Sequence, residues 1–169
     1  MSERRFPGIG LGVDVHHFGG QGPLILGGVE VPHATGLVGH SDADVLCHAV
    51  ADAVLGAAAL GDLGEHFPSD DERWRGASSL EMLRWIVTLL PPRGLEVQGV
   101  DATVIAEAPR LAPHRSRMEE SLSSALKLPA GACSVKLKSS DGLGLTGRGE
   151  GMAALAVASV GRVPSASSP

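Results

Sequence analysis

The sequence predicts a single α+β domain, one strand layer against one helix layer, and three observations carry that prediction. At 169 residues, with 43% hydrophobic and 20% charged side chains, the chain can bury one core and stay globular. Period-two segments and period-3.6 segments follow one another without a regular βαβ repeat. Only 3% of residues are aromatic and 23 are glycine, so the core is aliphatic and backbones approach closely. Residues 1–163 are expected to form the domain, and 164–169, rich in Ser, Pro and Ala, a disordered tail.

The elements follow in order. Arg5 to Phe18 reads as a strand in which Gly8, Gly10 and Gly12 strip one face of side chains, as a close backbone neighbour requires. Leu24–Leu26 and Val29–Val31 flank Gly27-Gly28, a two-residue hairpin signal. Ser41 is the expected N-cap of a helix running to about Leu60, with Asp44 three residues on. Gly61 to Gly64 stops it, and 65–75 reads as an irregular polar loop. Ser78 or Ser79 opens the next helix, which ends at Pro91-Pro92. Val97–Ile105 is a strand, a helix follows Pro113 to about Leu128, and Cys133–Lys138 is a strand. Ser139 to Gly151 is a glycine-rich loop. Periodicity leaves Met152–Val160 open between strand and helix.

Composition excludes several classes. A net charge of −5 without a basic run argues against a nucleic-acid partner. No apolar stretch is long enough for a membrane span and no secretory signal leads the chain. Cys47 and Cys133 have no zinc spacing and read as free thiols, so the expected compartment is the cytoplasm.

On a strand, Asp14 and His16 point to one face and His17 to the other. His48 lies four residues after Asp44 and four before Asp52, so either carboxylate is a candidate to fix its tautomer. His40 stands at the mouth of the same helix, where free backbone N–H groups favour an anion. One carboxylate and two imidazoles make an open zinc site that a phosphate oxygen completes. The plainer alternative is a chance D-x-H beside a hydrogen-bonded helical histidine, with Asp44 as a mere capping acid. His33, His66 and His114 have no sequence partners and read as surface residues.

Five motifs, spread in order over residues 5–160, give the chain a specific resemblance: GVDVHHFGG, GLVGHSDADVLCHA, GAAALGDLGEHFP, AEAPRL and GLTGRGEG. Together they resemble the 2-C-methyl-D-erythritol 2,4-cyclodiphosphate synthase family of the non-mevalonate isoprenoid pathway. The resemblance implies a mixed sheet backed by helices, with the last segment a strand, assembled as a homotrimer with active sites between subunits. It implies a cytidine diphosphate-linked substrate, 4-diphosphocytidyl-2-C-methyl-D-erythritol 2-phosphate, whose 2-phosphate attacks the β-phosphorus to release CMP.

The same resemblance assigns Zn2+, or another divalent transition metal, to Asp14, His16 and His48, and Mg2+ or Mn2+ to Asp141. It makes His40 and Ser139 stabilisers of the transition state. It places substrate contacts at Ser41, at Asp62, Leu63 and Gly64, and at Phe67, Pro68, Ser69, Asp70 and Asp71. A cytidine pocket is implied at Ala106, Glu107, Ala108, Pro109, Arg110, Leu111 and Ala112, with further contacts at Lys138, Ser140, Leu145 and Arg148. The chain departs from the family's usual residues at five of these positions: Ser69 for an acid, Lys138 and Ser139 for threonines, Asp141 for glutamate and Leu145 for an aromatic. A zinc phosphoesterase using water, or a non-catalytic diphosphate-binding trimer, are the other readings, and product analysis separates all three.

Overall fold

The computed structural model describes residues 8–163; the expected tail at 164–169 and the start of the first strand at 5–7 lie outside the described residues. Five strands form one sheet in the order β4-β1-β7-β5-β6, with β1 Gly8–Gly20, β4 Gly36–Leu37, β5 Leu95–Ile105, β6 Cys133–Lys138 and β7 Gly151–Arg162. β5 and β6 are parallel and β7 runs antiparallel to both β1 and β5, so the sheet is mixed. The open segment is therefore a central strand, and its run of small apolar residues reflects neighbours on both edges. The hairpin β2 Leu24–Leu26 and β3 Val29–Val31 turns at Gly27 and Gly28, both at positive φ. β4 pairs with β1 through only two residues and was not visible in the sequence.

Helix α1, Val45–Ala58, lies along β1 and β7, with α3 Ser79–Thr88 packed on it and α4 Arg115–Leu126 on α3 and β6. The contact of α1 with β1 is made of backbone. A Cβ on Gly8 would stand 2.2 Å from the Ala57 carbonyl oxygen, on Gly10 2.0 Å from that of Ala53, and on Gly12 1.9 Å from that of Ala49. Two strand residues advance about 6.6 Å and four helix residues about 6.0 Å, so glycines two apart meet alanines four apart. Asp14 follows two residues after Gly12 and His48 stands one residue before Ala49, so the two ligands extend from the last of these contacts and meet at 2.9 Å. The register that packs the glycines is the register that assembles the ligands.

Asp44, not Ser41, caps α1. Its buried carboxylate accepts from the Leu46 and Cys47 N–H groups (3.1 and 3.0 Å) and from Gly27 and Gly28 N–H in the hairpin turn (2.9 and 2.7 Å). Burial pushes its pKa up, against the pull of those backbone donors. Asp44→Ala leaves these donors without the carboxylate in the interior, and we expect a loss of about 3–5 kcal/mol by urea unfolding. A loss under about 1 kcal/mol would show that water or a neighbour replaces the cap.

The stretch 65–75, expected as irregular, holds a short helix α2 Leu63–His66 and a 3-10 turn Glu72–Trp74. Phe67 anchors it, buried and edge-on to Trp74 and Trp85 at 4.7 and 5.2 Å. His66, expected at the surface, is half-buried and its Nε2 donates to the Leu60 carbonyl at 2.8 Å. The glycine-rich loop contains a single helical turn, α5 Gly144–Gly147. The sheet face away from α1 is bare: Ile9, Leu11, Val13 and Val15 of β1 and Leu155 and Val157 of β7 are all exposed.

Candidate metal centre

Where β1 passes Gly12 and α1 begins its second turn, three side chains converge. Asp14 Oδ2 lies 3.0 Å from His16 Nε2 and 2.9 Å from His48 Nδ1, and the two nitrogens are 3.2 Å apart. A tetrahedral ion with bonds of about 2.0–2.1 Å sets its ligand atoms roughly 3.3 Å apart. The edges of this triangle are close to that, which suits a small ion with one open position. Asp14, His16 and His48 form the only such cluster among the described residues.

The hydrogen bonds around the triangle favour the same reading. His16 Nδ1 donates to the Val38 carbonyl at 2.7 Å, so in the neutral ring Nε2 carries its lone pair toward Asp14 and His48. Burial pulls His16 toward the neutral form, but its hydrogen bond to Asp14, the charge of that carboxylate and the Val38 carbonyl together outweigh this and raise its pKa. Burial by itself would raise Asp14; the hydrogen bonds and charges of His16 and His48 together overcome it and hold the carboxyl far below the usual range. The cluster therefore wants a positive charge at its centre, whether proton or metal.

Neither acid expected to orient His48 does so. Asp44 is spent on capping, and Asp52 accepts from the Leu63 N–H at 2.7 Å. Two hydroxyls take their place: His48 Nε2 meets Ser79 Oγ at 2.8 Å and Ser41 Oγ at 3.1 Å. Ser79 lies 31 residues from His48, and in the sequence it reads only as a helix start, so no local signal marks it. The anion cradle expected at the mouth of α1 is also changed, because the Asp44 carboxylate already occupies the Leu46 and Cys47 N–H groups. His40 remains beside the site, its Nε2 donating to the Asp71 carbonyl at 3.0 Å. Asp62 caps α2 through the Glu65 N–H, and Leu63 and Gly64 form its first turn. Pro68 to Asp71 form a turn closed by Asp71 N–H to the Pro68 carbonyl, with Ser69 and Asp70 exposed at its tip.

The remaining expected residues gather elsewhere. Ala106, Glu107, Pro109, Arg110, Leu111 and Ala112 line a cleft of about 250 Å³ with Lys138 and Ser139. Ala108 lies in the same loop. Ser139 Oγ donates to Asp141 at 3.1 Å, and Glu107 accepts from the Ser140 and Gly142 N–H groups, which hold its pKa down. Leu145 is exposed, and Arg148 is paired with Glu150 at 2.7 Å on the surface, a contact worth little in water. Both clusters lie at the same end of the sheet, since Ile105 of β5 and Val15 of β1 both pair with Ala153. From β1 to β6 is three strand spacings, roughly 14 Å. Within one chain the cleft and the metal triad stay apart.

Comparison with known proteins now decides the family. The YgbB family model matches residues 8–161, nearly the whole described chain. The chain belongs to the YgbB family. Curated relatives include the 2-C-methyl-D-erythritol 2,4-cyclodiphosphate synthase of Salinibacter ruber, 53% identical over 90% of this chain and 97% of the relative. The enzyme of the same name from Alkaliphilus oremlandii is 47% identical over the same shares. The bifunctional IspD/IspF enzyme of Desulforudis audaxviator is 54% identical, but the chain spans only 39% of its length. Among solved structures, a cyclodiphosphate synthase in a CDP-bound form superposes with a TM-score of 0.81 at 36% identity, covering 90% of this chain and 99% of that one. The Plasmodium falciparum IspF–CDP complex superposes at 0.79 with 28% identity, covering 94% and 99%. As a YgbB member, the chain has the fold that its sequence motifs implied.

Proposed function

We propose that this chain converts 4-diphosphocytidyl-2-C-methyl-D-erythritol 2-phosphate into 2-C-methyl-D-erythritol 2,4-cyclodiphosphate and CMP. Its relatives at about half identity over nearly the whole chain carry that activity, so it is a phosphorus–oxygen lyase of isoprenoid biosynthesis. The observation that carries the chemistry is the triangle of Asp14, His16 and His48, with the His16 lone pair aimed inward.

In the reaction a 2-phosphate oxygen bonds to the β-phosphorus while the bond from that phosphorus to the bridging oxygen breaks. CMP leaves with the electron pair. The nucleophile is already ionised and tethered, so no strong general base is required, and folding the substrate supplies much of the effect. A divalent transition metal, with zinc the best match to one carboxylate and two imidazoles, supplies Lewis-acid charge neutralisation at the diphosphate. In this reading His40 and Ser139 turn their donors from the Asp71 carbonyl and the Asp141 carboxylate to phosphate oxygens. Asp141 is the residue that would hold Mg2+ or Mn2+, which would supply further charge neutralisation to the substrate diphosphate. Backbone groups from Ala106 to Ala112 hold the cytosine, and the CDP-bound neighbours support a cytidine-linked ligand.

The active unit in this reading is a homotrimer. The nucleotide cleft and the metal triad of one chain stand apart, and the bare apolar face of β1 and β7 suits burial against other copies. Sedimentation equilibrium should give three chains per particle, and a monomer at micromolar protein would remove the assembly. No helix among the described residues is long and apolar enough to cross a membrane.

The deciding assay is product analysis by phosphorus NMR. We expect stoichiometric CMP and a cyclic diphosphate, lost on chelation and restored by zinc with magnesium. A linear phosphate product would make the chain a phosphoesterase; no turnover would leave a binding protein.

A further inference from the structure

We propose that Ser79 and Asp42 are positioning residues that fix His48 in the tautomer required of a metal ligand. The inference rests on the metal centre described above and adds two residues outside its ligand set.

The argument is a count of protons. Ser79 is buried, and its Oγ has three polar neighbours: an Asp42 oxygen in a short contact, His48 Nε2 at 2.8 Å and Ser41 Oγ at 3.1 Å. A hydroxyl has one proton to donate and two lone pairs. An ionised carboxylate can only accept, so the Ser79 proton goes to Asp42, the one neighbour with no proton to give. Ser79 can then only accept from its other neighbours. His48 Nε2 must carry a proton to be a partner rather than a lone pair facing a lone pair. Ser41 donates its own proton to Ser79 and accepts from the Ala43 N–H at 3.2 Å. With Nε2 protonated, the neutral ring has its lone pair on Nδ1, the atom 2.9 Å from Asp14.

The relay is itself held by backbone. Asp42 uses its second oxygen to accept from the Ser79 N–H at 3.1 Å, and its own N–H donates to the Ala77 carbonyl at 3.0 Å. The start of α3 is thus clamped to the segment leading into α1, and the clamp aims the hydroxyl at His48. On the other ligand the Val38 carbonyl does the same for His16. Each imidazole therefore has a different orienting partner, a carbonyl for one and a carboxylate-backed serine for the other. In the second, Asp42 polarises the hydroxyl that receives the proton.

The test uses the full chain and zinc alone, in competition with a chromophoric chelator. Ser79→Ala and Asp42→Ala should each weaken zinc binding by about 10–100-fold, the usual effect of removing such an outer partner, with the far-UV spectrum unchanged. Long-range proton–nitrogen NMR of the metal-free wild-type protein at a pH where His48 is neutral should show Nε2 as the protonated nitrogen. That readout does not depend on any variant folding. Wild-type zinc affinity in a folded Ser79→Ala protein, or a proton on His48 Nδ1 in the neutral ring, would overturn the relay. The metal centre itself fails separately, if His48→Ala binds zinc as tightly as the wild type.

Discussion

His48→Ala should abolish zinc binding and CMP release together. The substitution removes one corner of a triangle whose atoms lie 2.9–3.2 Å apart, and Asp14 and His16 alone leave an ion with two protein ligands. The activity lost is the charge neutralisation that a Lewis acid supplies, several kcal/mol of transition-state stabilisation, or roughly a thousandfold or more in rate. The fold should persist, because α1 owes its position to the glycine–alanine contacts and to the Asp44 cap rather than to an imidazole on its second turn. Zinc per chain by atomic absorption and CMP by chromatography check the two halves of the prediction. Full zinc occupancy with normal turnover would remove His48 from the ligand set. Zinc lost with turnover kept would detach the ion from the chemistry.

How much of this was legible in the sequence depends on how far apart the deciding residues are. The glycine-stripped face of β1 and the Gly27-Gly28 turn are local signals, and each corresponds to a feature of the structure. Asp14 and His16 follow from strand periodicity alone. The helix cap was less legible, since Ser41 and Asp44 are both good caps, and what decides between them is the hairpin turn that Asp44 also binds, 16 and 17 residues away. The partner of His48 was misread for a related reason. Helical spacing offered Asp44 and Asp52, but both carboxylates are committed to backbone N–H groups, and the hydroxyl that serves comes from a different helix. Sequence spacing ranks neighbours within an element; it says nothing of one brought in by the packing of α3 on α1. The aromatic anchoring of Phe67 by Trp74 and Trp85 was hidden likewise, inside a stretch whose composition reads as loop.

Gly12→Ala should damage both the fold and the metal centre, although the side chain added is one methyl group remote from any ligand in chemistry. Its Cβ would sit 1.9 Å from the Ala49 carbonyl oxygen and 2.7 Å from the Ala53 nitrogen, both backbone atoms of α1 that no rotamer change can move. The helix must retreat by more than an ångström or the strand must bow, and overpacking of this kind costs about 3 kcal/mol. The retreat occurs two residues before Asp14 on the strand and at the residue after His48 on the helix. It therefore separates a carboxylate from an imidazole that must lie within about 3.3 Å to share a small ion. We expect a clear loss of thermal stability and a fall in zinc affinity of at least tenfold. Gly56→Ala is the contrasting change: its Cβ meets only the Gly10 Cα at 3.9 Å, an ordinary contact, and alanine is the better helix former by about 1 kcal/mol. That variant should be as stable as the wild type or more so, with zinc affinity unchanged. If Gly12→Ala lost stability but kept its zinc affinity, the ligands would be held independently of the glycine–alanine register, and the coupling of packing to metal binding drawn from β1 and α1 would be wrong.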